Sequence, residues 1–282
     1  MYRSLSILFI SLISICVIAQ NDTIQSRATA VEQQANSVSV KGNNTAQALT
    51  GTSDALLKKA AELYSKSQFN AAAQIYEKVL AQYGSSDKLY YNLGNAYYKS
   101  KNIPSAILNY ERALRLNPGD NDIRFNLEMS QSRIVDKIDP VGMFMVTRWY
   151  KSLENSYNSN TWGGVSIFFF LIFIACLFAY FFAKVSRLKK IGFFTGIFAL
   201  FISILSLVYS ADQSDRIVNP NQAILFTPTV TAKSSPDQSG TDLFVLHEGS
   251  KVTILSVLGS WSEIELADGN IGWLESKHLQ TI

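Results

Sequence analysis

"YYNLGNAYYKSKNIPSAILNYERALRLNP" (90–118) decides how the first half of this chain is read. Laid over the preceding sequence without a gap, Asp87–Asp120 falls on Ser53–Ser86, and "YYKSKNIPSAILNYERAL" (97–114) lies on "LYSKSQFNAAAQIYEKVL" (63–80). A self-similar period of 34 residues points to stacked two-helix units, because one such unit cannot bury its apolar face alone. Within the quoted copy the residues divide by size. Gly94, Ala106 and Ala113 are small where two antiparallel helices would cross closely, while Leu93, Tyr97 and Tyr110 fill the space beside those crossings. Pro118 falls just past the second helix, which it cannot continue.

Together with Tyr90, these positions resemble the tetratricopeptide repeat. The first copy is weaker at its start, where Ala60 and Leu63 stand for Gly94 and Tyr97, while Ala72 and Tyr76 hold. Ile123, Leu127, Ile134 and Ile138 continue a helical stripe that suits a capping helix. The expectation is an all-α solenoid over 53–138, with repeats 53–86 and 87–120 and a cap. The resemblance implies a groove, lined by the first helix of each repeat, that holds extended peptides. In that register it presents Tyr64, Lys88, Tyr91, Asn95, Tyr98, Lys99, Phe125 and Met129. Asn95 invites comparison with members that clamp a C-terminal carboxylate, although "LGNAYY" also follows the family consensus.

Downstream, Gly163–Ala183 and Ile191–Ala211 are each 21 residues without a charge. About 20 apolar residues cross a ~30 Å hydrocarbon core, and neither run has the polar face of a soluble core helix. Residues 184–190, "KVSRLKK", leave room for a tight hairpin between them. Short loops rich in Lys and Arg stay cytoplasmic, so both flanks face outward. The start, "MYRSLSILFISLISICVIAQ" (1–20), carries Arg3, an apolar run and Val17-Ile18-Ala19, the pattern of a signal peptide over 1–19. Cleavage after Ala19, retention as an anchor and lipoprotein processing at Cys16 are its possible fates. Both signals give one topology: two spans, with everything that folds outside the bilayer extracytoplasmic. Residues 20–52, rich in Gln, Asn, Ser, Thr and Ala, read as a flexible linker. Residues 139–162 read as an interfacial segment, with Trp149, Tyr150, Tyr157 and Trp162 in an aromatic belt. Gly192 and Gly196 form a GxxxG that suits close approach of the hairpin's own partner helix or of another.

Beyond a polar linker (212–222), residues 223–282 read as short strands. "WSEIEL" and "KVTILSV" alternate, and Asp268-Gly269 is a hairpin turn. "LHEGSKVTIL" (246–255), "GSWSEIEL" (259–266) and "DGNIGWLESKHL" (268–279) resemble, in that order, the bacterial SH3 (SH3b) domain, an all-β SH3-like barrel. In exported proteins the resemblance implies binding of peptidoglycan peptides or packing against a neighbouring domain. Phe226 and Trp261 are its candidate surface aromatics, and Trp273 reads as core.

Composition narrows the function. Hydrophobic residues make 48 % and charged ones 17 % of 282 residues, a shift toward membrane proteins. Residues 53–137 carry 12 Lys+Arg against 9 Asp+Glu, and residues 217–282 carry 3 against 7. Neither has the basic face that a phosphate backbone requires, which argues against nucleic acid. Cys16 and Cys176 both lie in apolar runs, leaving no thiol nucleophile outside them. No phosphate loop, HExxH, GxSxG or metal-spaced Cys/His pattern is present, so neither enzyme nor cofactor is expected. The whole order of signal peptide, repeats, membrane hairpin and SH3b domain resembles BatE-type members of the Bat (aerotolerance) family. That resemblance implies a non-enzymatic scaffold. Its partners would be other Bat-type proteins and membrane proteins with von Willebrand A domains, with peptidoglycan as the alternative ligand of the barrel.

Overall fold

The computed structural model describes residues 52–138, 142 and 144–282. The expected signal peptide (1–19) and all but the last residue of the linker (20–52) lie outside the described residues. By its contacts the chain divides into Met1–Leu56 and Leu57–Ile282, and the packing that follows is within the second unit.

The repeats begin with α1 (52–65) and α2 (Phe69–Tyr83), followed by α3 (Asp87–Lys99) and α4 (Ile103–Leu116). Sequence periodicity reappears in the backbone. Ser67 and Lys101, 34 residues apart in the sequence, both take a left-handed φ, 60° and 69°. The amide after each returns to the preceding helix: Gln68 N to Leu63 O and Asn102 N to Tyr97 O, both 2.9 Å. Helix starts are capped by short polar side chains. Ser86 Oγ accepts from Leu89 N (3.1 Å), and Asn102 Oδ1 from Ser105 N (3.2 Å). Gly94 lies where helix meets helix: a Cβ there would stand 2.7 Å from Tyr110 Cε1. Ala60, Ala72, Ala106 and Ala113, all fully buried, make the other close approaches.

The expected capping helix is shorter than its apolar stripe. Helix α5 (Asn121–Gln131) buries Ile123 and Leu127, then stops. Ile134 and Ile138 lie beyond it: Ile134 packs on the repeat core and Ile138 on the barrel core. Their spacing mimics a helix, but each is held by a different domain.

An amphipathic helix, α6 (Met145–Glu154), leads into α7 (Ser159–Phe182) and α8 (Ser186–Val218), an antiparallel pair. Both are long and apolar enough to cross a membrane. Two boundaries differ from expectation. Helix α8 already starts at Ser186, so Arg187, Lys189 and Lys190 lie on its first turns rather than in a seven-residue loop. It also runs through most of the expected linker (212–222) to Val218, continuing its hydrogen bonding where the sequence turns polar. The face of α8 against α7 is a stripe of small residues, Gly192, Gly196, Ala199, Ser203 and Ser206, spaced alternately by four and three. Such spacing lets backbones approach in a left-handed pair. A Cβ on Gly192 or Gly196 would stand 3.2 Å from Cys176 O or Cβ, so this GxxxG serves the hairpin's own partner. Two serine pairs cross-link the helices. Ser166 Oγ donates to Ser203 O (3.0 Å) and Ser203 Oγ to Ser166 O (2.9 Å). Ser159 and Ser210 repeat the exchange at 2.9 and 3.0 Å. Trp162, from the expected interfacial segment, is 8 % exposed and donates its Nε1–H to Glu154 O (2.9 Å). Its ring lies 5.0 Å from that of Tyr209. The indole closes the end of the hairpin.

Seven antiparallel strands follow: β1 (Gln222–Leu225), β2 (Thr229–Lys233), β3 (Asp242–His247), β4 (Lys251–Leu258), β5 (Trp261–Glu265), β6 (Ile271–Glu275) and β7 (Leu279–Thr281). Their order is β3-β2-β6-β5-β4-β1-β7, around Ala223, Leu225, Leu246, Val252, Ile264 and Leu274. The β5–β6 turn falls at Asp268-Gly269, with Gly269 at φ 89°, a conformation that glycine adopts without a Cβ clash.

The barrel shares a core with the repeats. Ile224 of β1 and Ile282 belong to the same buried cluster as Ile107, Tyr110 and Ala113. Arg112 Nη2 donates to Thr281 O (2.7 Å), and Arg115 Nη1 to Ile282 O. Lys251 Nζ meets Glu111 Oε2 at 2.8 Å. At the far edge Asp136 accepts from His247 N–H and Ser250 Oγ. The barrel thus sits on the second helix of the second repeat, opposite the groove-lining first helices.

Candidate functional site: a tyrosine-walled cavity in the repeats

Six of the eight expected groove residues surround one cavity of about 290 Å³: Tyr64, Tyr91, Asn95, Tyr98, Lys99 and Met129. The repeat register explains this gathering. Tyr64 and Tyr98 are equivalent positions one period of 34 apart, at the ends of α1 and α3, and Tyr91 precedes Tyr98 by two turns. Met129 comes from α5, which takes the place of the next repeat's first helix. Lys88 and Phe125 do not line the cavity. Both are exposed, Phe125 by 61 %.

Two further wall residues lie outside the expected set: Tyr110, which the repeat pattern places in packing, and Asn126. They hold the floor in one arrangement. Tyr110 Oη donates to Asn95 Oδ1 (2.7 Å), and Asn126 Nδ2 donates to the same oxygen and to Tyr91 Oη, both at 3.0 Å. Tyr110 is 1 % exposed, and its burial, with Tyr91, Tyr64 and Tyr98 nearby, pushes its hydroxyl far above the ordinary tyrosine range. It therefore stays a protonated donor to Asn95. Burial, then Tyr91, also raises the Tyr64 hydroxyl. Arg133 braces the rim: its guanidinium lies 5.6 Å from the Tyr98 ring centroid, and its Nε donates to Tyr98 Oη (3.2 Å). Aromatic faces, tyrosine hydroxyls, one fixed carboxamide and Lys99 line the cavity. A nucleophile with an adjacent base is not among these residues.

On the barrel, Phe226 packs against the cluster that joins barrel and repeats, so it faces the seam rather than an open surface. Trp261 stays half-buried at the start of β5, opposite Leu258 in the ladder. Beside it Val257 and Leu258 are 63 % and 61 % exposed. Trp273 is also half-buried.

Against known families, residues 88–120 match the Tetratricopeptide repeat. Residues 229–280 match the Bacterial SH3 domain. Both are interaction modules without chemistry of their own. No curated protein matches the chain.

Proposed function

We propose that this protein is a non-enzymatic adaptor of a bacterial inner membrane, with repeats and barrel on the periplasmic side. Its repeat cavity holds a segment of another envelope protein. The observation that carries this reading is the pre-formed cavity. Its tyrosine walls are fixed by the Asn95–Tyr110–Asn126 network, on the face of the repeats that the barrel leaves open. Membrane anchorage is supported by the surfaces of α7 and α8. Phe168, Phe178, Phe181, Phe194, Phe198 and Phe201 are each about 60 % or more exposed, an outward aromatic surface suited to lipid rather than water. The basic residues at the hairpin turn support the orientation proposed. Resemblance to Bat-type proteins directs the partner toward membrane proteins with von Willebrand A domains, in a complex for stress or oxygen tolerance.

Crosslinking in cells, extraction and mass spectrometry of the recovered partners tests this. Tyr91→Ala with Tyr98→Ala is expected to lower partner recovery at unchanged membrane abundance, while Lys88→Ala outside the cavity leaves it intact. Recovery unaffected by the tyrosine pair would remove the cavity from the function. A second reading, binding of peptidoglycan by the barrel, is favoured by the partly open Trp261 beside exposed Val257 and Leu258. It predicts cell-wall fragments among the crosslinked products, lost in Trp261→Ala.

A further inference from the structure

A larger cavity, about 510 Å³, lies where repeats, α6, the end of α8 and the barrel meet. Five cations line it (Arg115, Arg124, Lys151, Arg216 and Lys251) against one carboxylate, Glu111, which Lys251 already engages. Arg216 is turned partly toward Glu154 and Asp212. Arg115 Nη1 also meets Ile282 O, and Arg124 Nη2 meets Pro118 O (2.6 Å), but the remaining excess of positive charge has no side-chain carboxylate to match it on the walls, which are otherwise amides, Leu114, Pro118, Pro220 and Ile282.

Two buried polar atoms on residues of this cavity have no hydrogen-bond partner among the described residues: Arg115 Nε, a donor, and Gln213 Oε1, an acceptor. Gln213 is 4 % exposed, and its amide cannot simply turn over. Its Nε2 donates to Glu154 O (2.6 Å) and Tyr157 O (2.9 Å), which fixes Oε1 as the unmatched end. Buried unpaired groups are costly, and native structures pair nearly all of them. Neither atom has open surface, so a ligand that satisfies both draws these side chains toward the cavity and brings an anionic oxygen for Arg115 and a hydroxyl or ammonium hydrogen for Gln213.

The depth of the site narrows that ligand. Gln213 and Arg216 lie two and five residues beyond Ala211, the end of the apolar run. At about 1.5 Å per residue they stand about 3 and 8 Å past it, within a headgroup layer about 5–8 Å thick. We propose that this cavity binds the headgroup of an anionic phospholipid, its phosphate held by Arg115, Arg124 and Lys151 and a headgroup hydroxyl or ammonium donating to Gln213. The assignment rests on the reading that α7 and α8 cross a membrane. A lipid seated there ties repeats and barrel to the bilayer surface through one shared ligand.

The full chain, reconstituted in nanodiscs of phosphatidylcholine doped with phosphatidylglycerol, is released into detergent, and retained lipid is weighed by native mass spectrometry. Wild type is expected to keep phosphatidylglycerol preferentially. Arg124→Gln with Lys151→Gln, both at exposed positions, should weaken retention on the order of thirtyfold. Lys66→Gln with Lys78→Gln removes equal charge from the remote first repeat and should change nothing. Retention blind to headgroup charge, or lost equally in both double variants, overturns the site. Displacement of the lipid by glycerol 1-phosphate at matched concentration overturns the lipid assignment in favour of a soluble phosphate. A chain that stays dispersed without detergent instead refutes the membrane reading itself.

Discussion

Replacing Asp136 by Ala removes the acceptor that ties the segment after α5 to the barrel. Its Oδ2 accepts from His247 N–H (2.7 Å) and Ser250 Oγ (2.5 Å), and its Oδ1 meets His247 Nδ1 at 2.7 Å. The Asp136 side chain is 13 % exposed and Ser250 1 %, so water cannot readily replace what is lost. Hydrogen bonds to a charged group contribute about 1.5–3 kcal/mol each. Taking the low end for the two least accessible donors gives about 3 kcal/mol, or on the order of a hundredfold more frequent opening of the seam. Hydrogen–deuterium exchange on the full chain in detergent reads this directly, through segments 132–138 and 246–250 on the two sides. Asp136→Asn keeps an oxygen for His247 and Ser250 and should lose far less. Unchanged protection of both segments in Asp136→Ala would refute the reasoning. Acid should act on the same latch. Burial alone would raise the Asp136 carboxyl, but the Ser250 and His247 hydrogen bonds outweigh it and hold the group below its ordinary 3.8. A depressed carboxyl contributes stability above its unfolded value and loses it as pH falls through the folded one. Seam protection should therefore hold from neutral pH to about 5, decay below 3.8, and lose this dependence in Asp136→Ala.

Three further outcomes are expected. Gly94→Ala drives a methyl against the Tyr110 ring, and an overpacking cost of about 1–3 kcal/mol exceeds the helix-propensity gain of about 1. Thermal melts should show the loss, with part recovered by adding Tyr110→Leu. Ser159→Ala with Ser166→Ala deletes half of each reciprocal pair between α7 and α8, lowering hairpin stability by about 0.6 kcal/mol per bond, measurable as a lower melting temperature in detergent. Glu154 has its carboxyl pushed up to about 7, by burial first and then by its contact with Asp212, against the pull of Arg216. Its contribution is full below the unfolded 4.5 and is lost as pH rises through about 7. Exchange at the α6–α8 junction should quicken over that range, and Glu154→Gln should flatten the trend.

The 34-residue period was enough to set the helix pairs, the turn conformation shared by Ser67 and Lys101, and the gathering of Tyr64, Tyr91, Asn95, Tyr98, Lys99 and Met129. These follow from local chemistry repeated at fixed spacing. Each residue's face is dictated by neighbours three or four positions away. The same holds for the apolar length of α7 and α8 and for the Asp268-Gly269 turn. What sequence could not supply are partners far apart along the chain. Asp136 meets His247 across 111 residues, Arg112 meets Thr281 across 169, and Phe226 turns to the seam because a repeat core lies there. Ile134 and Ile138 carried a helical period whose two members went to different domains. Periodicity reports that a side chain is apolar on a face. Which surface covers that face is decided by docking, and docking also brings Arg115 and Gln213 to one cavity.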